Sequence, residues 1–476
     1  MKASWRTTYR DRIWSRLLFP LLFVLLLPGC AAMRRPVPVA REVPRVRVGL
    51  QVTAKAITIS GTGMFQIGIK DSDRKPKVCG PGERWTFVSA TAGEAGAGAY
   101  ARSSRAGGSD TTVASGDGNA GPAVSNAGGG NGGERVRGIE VIDPDGLSRG
   151  TLDVVFVISA LESESFLIVG GKKYRGNFEI FQGPAGLLTL VNVVDVESYL
   201  RGVVPNEIGG FSPQILEAVK AQAVAARTYC FFFRGRYAGD GFDVLPTVQD
   251  QVYTGVDGEK PVSDRAIADT YGIIMTYDGK PIRANYFSTC GGATAAIDEV
   301  WQKEPVPYLK SVPDREPFQR EAYCCQSPSY RWKETWTAEE FESIFKKNFR
   351  IQYSGATQPS PGERLVDVRV TERSRSRRVR ILEVITPDNA YKIFGDSIRL
   401  VIRRPNEQES ILLSTLFDVD VQREQGYAKT VVFYGGGSGH GVGMCQMGAI
   451  GMAKAGRDFK QILTRYYKGV KLTRAY

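Results

Sequence analysis

The chain has 476 residues and a formal net charge of +12, with 62 lysines and arginines against 50 acidic residues. That length allows two or three domains with a sizeable core. No interleaved aromatic and basic motif of a nucleic-acid-binding module occurs, so nucleic acid is excluded as a partner and the basic charge points to another anionic polymer.

The first residues carry Lys2, Arg6, Arg10, Arg12 and Arg16, and residues 17–27 form an apolar run too short for a comfortable membrane span. The run ends in LLPGC. A basic start, a short apolar stretch and a small residue before a cysteine are expected of a lipoprotein signal over 1–29, with Cys30 as the lipidated first residue. Removing it lowers the formal charge from +12 to about +8. An exported, lipid-anchored protein of the cell envelope is expected; if the cell is Gram-negative, Ala31 rather than Asp after Cys30 favours the outer membrane, facing the periplasm.

A Pro-rich spacer over 30–45 leads to VRVGLQV and AITISG, whose alternation and β-branched content predict strands and a β-rich segment over 46–90. Residues 91–135 turn to Gly, Ala, Ser and Asn, which bury too little apolar surface to fold, and read as a disordered insertion. Strands resume at LDVVFVIS and FLIVGG, and a continuous apolar run ending at Val194 predicts a buried strand. A core is expected over 136–330.

The stretch VDVESYLRGVVPNEIGGFSPQILEAVKAQAVAARTY, 194–229, carries the chemistry. Glu207 is expected in an apolar loop between Val203-Val204-Pro205 and Ile208, where poor solvation raises a carboxyl pKa and suits a general acid. Asp195 and Glu197 compete for that role. Asp195 reads more simply as the N-cap of a short helix, and Glu197 as its first-turn acid. Ser212 and Pro213 start an Ala-rich helix with Ile215, Val219, Ala223, Ala226 and Cys230 on one face. Lys220 and Arg227, seven apart, share the opposite stripe. That stripe is either a solvated face or the cationic side of a groove served by Glu207.

Further on, a second helix is expected over 263–271, and Asp278-Gly279 marks a hairpin. Thr337 and Glu340 form a capping box before Phe341, Ile344, Phe345 and Phe349 at helical spacing. LVDVRVTE and RVRILEVIT alternate like strands joined by the basic turn RSRSRR, and LFDVDVQ follows as another. Residues 331–430 therefore read as a small α+β insertion, and 431–476 as a closing segment. There His440, the only histidine, sits among glycines whose backbone N–H groups are expected to face a ligand. Asp458 and Gln461 cap a last helix carrying Phe459, Ile462, Leu463, Tyr466 and Tyr467.

Four stretches in order, YLRGVVPNEI, AVKAQAVAARTY, YFSTCGG and GHGVGMCQMGAIGMAKAG, closely resemble the signatures of the stage II sporulation protein D family, also called SpoIID/LytB, over 177–476. The resemblance implies a mixed α+β SpoIID-like core and a lytic transglycosylase acting on peptidoglycan strands stripped of stem peptides, with Glu207 as the catalytic acid. It also admits a noncatalytic enhancer of a partner N-acetylmuramoyl-L-alanine amidase. It places Thr247, Gln249, Gln251, Tyr253, Ser288, Thr289 and Gly291 near the groove, where Gln251 and Tyr253 fit packing as well as binding. His440 with Gly441 is expected to orient Glu207 or to meet substrate, and Lys220 or Arg227 to hold the muramic lactyl carboxylate. Relatives carry histidines beside YFSTCGG and the YCxxSPxYRW segment, where Phe287 and Ser329 stand here, so a Cys/His zinc site lacks its nitrogen ligands. No metal or cofactor is expected, and a disulfide from Cys290 to Cys324 or Cys325 is the preferred reading.

Overall fold

The computed structural model describes residues 42–90, 138–183, 185–209, 212–301, 303–406 and 408–476. The expected signal, Cys30 and the Gly-rich insertion lie outside them. Among the described residues no helix is long and apolar enough to cross a membrane.

The architecture is mixed α+β, as expected. Two antiparallel six-stranded sheets make the N-terminal part. One runs in the order Arg45–Ala54, Leu188–Asp195, Asn177–Gln182, Phe156–Ala160, Phe65–Ile69, Lys77–Cys79. The other runs Lys172–Tyr174, Leu167–Val169, Ala56–Gly61, Trp85–Ser89, Ile139–Ile142, Ser148–Leu152. Alternate residues such as Ile57, Ile59, Phe87 and Ile158 are fully buried, and Phe87 meets Phe156 edge-on, ring centroids 5.2 Å apart. The strands of 46–90 therefore do not close a unit of their own: half-buried strands need a second face, and 139–195 supplies it.

Leu188–Asp195 feeds helix α1 (Val196–Ile208), with the Asp195 carboxylate accepting from the Ser198 N–H at 2.9 Å. Glu207 thus lies in the last turn of a helix and not in a loop. The helix runs on through Pro205, because burial of Val203, Val204 and Ile208 outweighs the one backbone bond a proline removes. Helix α2 (Leu216–Phe233) follows a short turn capped by Ser212. Its two faces are both buried: Ala218, Val219, Ala221, Ala223, Val224, Ala225 and Ala226 are all at 0% exposure. The alanines let it sit at the centre, against α1, helix Pro261–Asp269 and the C-terminal helices.

The hairpin turns at Asp278 and Gly279, both with positive φ, but its second arm is two residues long. The strand Ile273–Tyr277 pairs on its other side with Lys471–Arg474 at the chain's end. Residues 332–435 build the expected α+β insertion around a core of their own, including Trp336, Phe341, Phe345, Leu382 and Phe433. The Thr337–Glu340 capping box opens helix α3 (Ala338–Gln352). The strand Tyr427–Gly435 runs without a break from this unit into the glycine motif.

Candidate active site

Glu207 sits where three backbone segments converge. Its Oε1 accepts the main-chain N–H of Val252 at 3.0 Å, and the side chains of Tyr286 and Gln446 hydrogen-bond to the same carboxyl. Gly202 makes this approach possible: a Cβ there would lie 2.7 Å from the Tyr253 ring and 2.8 Å from the Gly255 carbonyl, so only glycine lets α1 come so close to the 252–255 loop. Burial pushes the Glu207 pKa up from 4.5 to about 7, against the three hydrogen bonds, which lower it. Near neutral pH this carboxyl can give and take back a proton.

The cleft in front of Glu207 has a volume of about 1250 Å³. Its lining includes Tyr286, Ser288, Trp301, His440 and Gln446 together with Phe394, Arg399 and Ile411 of the insertion. The insertion is thus a wall of the cleft. Burial lowers the His440 pKa to about 4, keeping the ring neutral. Its Nδ1 accepts from the Val442 N–H at 3.1 Å, which leaves Nε2–H to donate to the Tyr286 carbonyl at 3.1 Å. With both nitrogens engaged, His440 holds the chain around Tyr286 and does not orient Glu207 directly. Its ring packs on Trp301 and Phe287, at 5.0 and 5.4 Å.

Several expected site residues belong to the interior instead. Arg227 is at 0% exposure, its guanidinium forked onto the Glu197 carboxylate at 2.8 and 2.7 Å and donating to the Ile273 carbonyl. Glu197, expected as a simple first-turn acid, is therefore the partner of a buried cation and also accepts from the Gly272 N–H. Lys220 pairs with Glu217 at 2.9 Å and Asp269 at 3.0 Å. Neither cation lines the cleft, because α2 is enclosed on the side that the helical pattern assigns to solvent.

Gln251 is fully buried behind the site and donates to the Tyr286 hydroxyl at 2.9 Å, so it supports a Glu207 partner. Tyr253 is a packing residue whose hydroxyl donates to Asn192. Thr289 is buried against Ser327 at 2.7 Å, while Ser288 and Gln249 line the cleft. Gly291 and Gly441 serve packing: a Cβ at Gly441 would meet the Arg378 guanidinium at 2.5 Å. Three of the glycine motif's amides are spent internally, Gly436 on the Leu416 carbonyl, Gly437 on that of Ser329 and Gly439 on that of Leu413, and these do not face a ligand as expected.

Cys290 and Cys324 meet, Sγ to Sγ 3.4 Å, but as free thiols, so the expected disulfide is not formed. Cys325 turns toward Glu321, 3.6 Å away. Sequence reasoning quoted Tyr286 and Gln446 within their motifs but gave them no role, and Trp301 and the insertion wall carried no motif at all.

Residues 185–277, which hold Glu207, match a family model described as Stage II sporulation protein, and 318–443 match one described as a Domain of unknown function (DUF8618). An uncharacterized protein of Brachyspira hyodysenteriae is 30% identical over 314 residues, 65% of this chain and 75% of that one. Stage II sporulation protein D of Bacillus subtilis is 31% identical over 308 residues, 60% of this chain and 76% of its own length. The protein called amidase enhancer in Bacillus subtilis is 27% identical over 294 residues, 58% of this chain and 40% of its own length. Matching the sporulation-protein model over 185–277 and a stage II sporulation protein D at 31% identity over 76% of that relative's length, the chain belongs to the SpoIID/LytB family.

Proposed function

We propose that this protein is a cell-envelope lipoprotein, anchored through Cys30, that cleaves peptide-stripped peptidoglycan strands as a lytic transglycosylase. The observation that carries the reading is a single carboxyl, Glu207, with a pKa of about 7 in a cleft large enough for several sugar rings. Protonated Glu207 gives its proton to the glycosidic oxygen as the bond to muramic C1 breaks. The carboxylate then takes the proton of the same residue's hydroxymethyl group, whose oxygen closes on C1 as an anhydro ring. No second carboxylate is needed, because the nucleophile is intramolecular, unlike ordinary glycoside hydrolysis.

The lactyl carboxylates of stripped glycan require cations in the cleft. Arg236, Arg283, Lys303 and Arg399 line it and take the place expected for Lys220 and Arg227. Trp301 offers an apolar face for a sugar ring. The test incubates the chain from residue 31 onward with intact and amidase-stripped peptidoglycan and reads products by mass spectrometry. Anhydro-muramic ends from the stripped glycan, absent with Glu207→Gln, support the reading; reducing ends would make it a hydrolase.

A second reading rests on the likeness to the relative called amidase enhancer. There the cleft binds glycan and the effect is on a partner amidase. Binding without anhydro ends, together with a faster amidase, would favour it.

A further inference from the structure

Four side chains outside the cleft converge from four distant segments: Cys290, Asp314, Cys324 and Cys445, each at 0% exposure. Their donor atoms all lie within 4.8 Å of one another. We propose that they form a tetrahedral structural zinc site of three thiolates and one carboxylate.

The geometry favours a metal over a disulfide. The Cys290–Cys324 separation of 3.4 Å exceeds the roughly 2.05 Å of an S–S bond. It lies close to the roughly 3.8 Å edge of a tetrahedron with Zn–S near 2.3 Å. A disulfide would use only two of the four donors and leave the buried Asp314 carboxyl with no cation among them. The donors are already oriented: Cys445 Sγ accepts from the N–H groups of Cys290 and Gly448, both at 3.2 Å, and Cys290 Sγ from that of Gly292 at 3.4 Å. Asp314 accepts from Tyr466 Oη at 2.6 Å and the Cys324 N–H at 2.9 Å, the kind of outer shell that fixes a ligating carboxylate.

An independent observation is Arg378. Its guanidinium is buried and donates to the carbonyls of Cys290 and Ala293, its Nε has no hydrogen-bond partner, and no carboxylate pairs with it among the described residues. A buried charge of this kind needs compensation. A zinc ion with three thiolates and a carboxylate carries a formal charge of about −2, beside the carbonyl that Arg378 holds. Soft thiolates select zinc over calcium or magnesium.

The site ties together the two segments that serve Glu207. Tyr286–Phe287 runs parallel to Met444–Cys445, and Gln446 follows directly. The metal thus clamps both Tyr286 and Gln446, whichever reaction the cleft performs.

The test is elemental analysis of the full chain purified without chelators, with a cobalt titration of the reduced, metal-stripped protein. One zinc per chain is expected, and cobalt should give thiolate charge-transfer and tetrahedral ligand-field bands. Cys445→Ser and Asp314→Asn should lose the metal, Cys325→Ser should retain it, and Tyr466→Phe should weaken it roughly 10- to 100-fold. A wild-type chain that holds no zinc and takes up no cobalt, or one whose intact mass shows a Cys290–Cys324 disulfide, overturns the proposal regardless of how the variants fold.

Discussion

The main-chain N–H of Val252 donates to Glu207 Oε1 across 3.0 Å, and of the three hydrogen bonds to this carboxyl it counters burial most. The balance leaves the pKa at about 7. Turnover on amidase-stripped glycan should therefore fall as pH rises through about 7, because the acid form is lost. Glu207→Gln should reduce the rate by at least roughly 100-fold and leave glycan binding within about twofold. A variant that keeps full activity would move the acid elsewhere.

The same balance sets a stability effect. A carboxyl whose folded pKa lies above its unfolded value destabilises the ionised fold: the penalty is absent below 4.5, grows as pH rises, and is complete above about 7. The rise corresponds to at most roughly 3 kcal/mol. Urea unfolding of Glu207→Gln should show a gain over the parent at pH 8 and none at pH 4.

Tyr286 donates to Glu207 while accepting from Gln251. Tyr286→Phe removes a bond that lowers the Glu207 pKa, so the falling limb of the pH–rate profile should move to higher pH. An unmoved limb with only a lower rate would mean that the hydroxyl acts on substrate instead.

Arg227 and Lys220 should separate cleanly. Arg227→Met leaves the half-buried Glu197 carboxylate without its cation and should cost roughly 3 kcal/mol in chemical denaturation. Lys220→Ala removes a partly exposed pair and should cost about 1 kcal/mol or less. Neither should alter the affinity of the folded protein for glycan; a tenfold loss with Lys220→Ala would return it to the groove.

Much of the local order was legible because it depends on neighbours in sequence. The Asp195, Ser212, Thr337 and Asp458 caps, the Asp278-Gly279 turn and the strands of the insertion all form where spacing and residue type predict. The burial of Glu207 was also legible, since Val203, Val204 and Ile208 surround it in the chain. What spacing misread was the helix through Pro205 and the outer stripe of α2. Propensity and amphipathic pattern describe an element facing water on one side, and α2 has no such side.

The sequence by itself determined that a carboxyl with a raised pKa lies in the 199–208 motif, that an Ala-rich helix follows it, and that a separate α+β unit is inserted after 330. The tertiary structure decided that Arg227 is a buried partner of Glu197, that Tyr286, Gln446 and the Val252 amide hold the acid, and that the insertion walls the cleft. It also brought a third thiol and a carboxylate to Cys290 and Cys324, which a count of one histidine had argued against as a metal site. The physical reason is common to all of these: each joins groups separated by tens to hundreds of residues, and no local spacing records which distant backbone a folded chain brings within hydrogen-bonding reach.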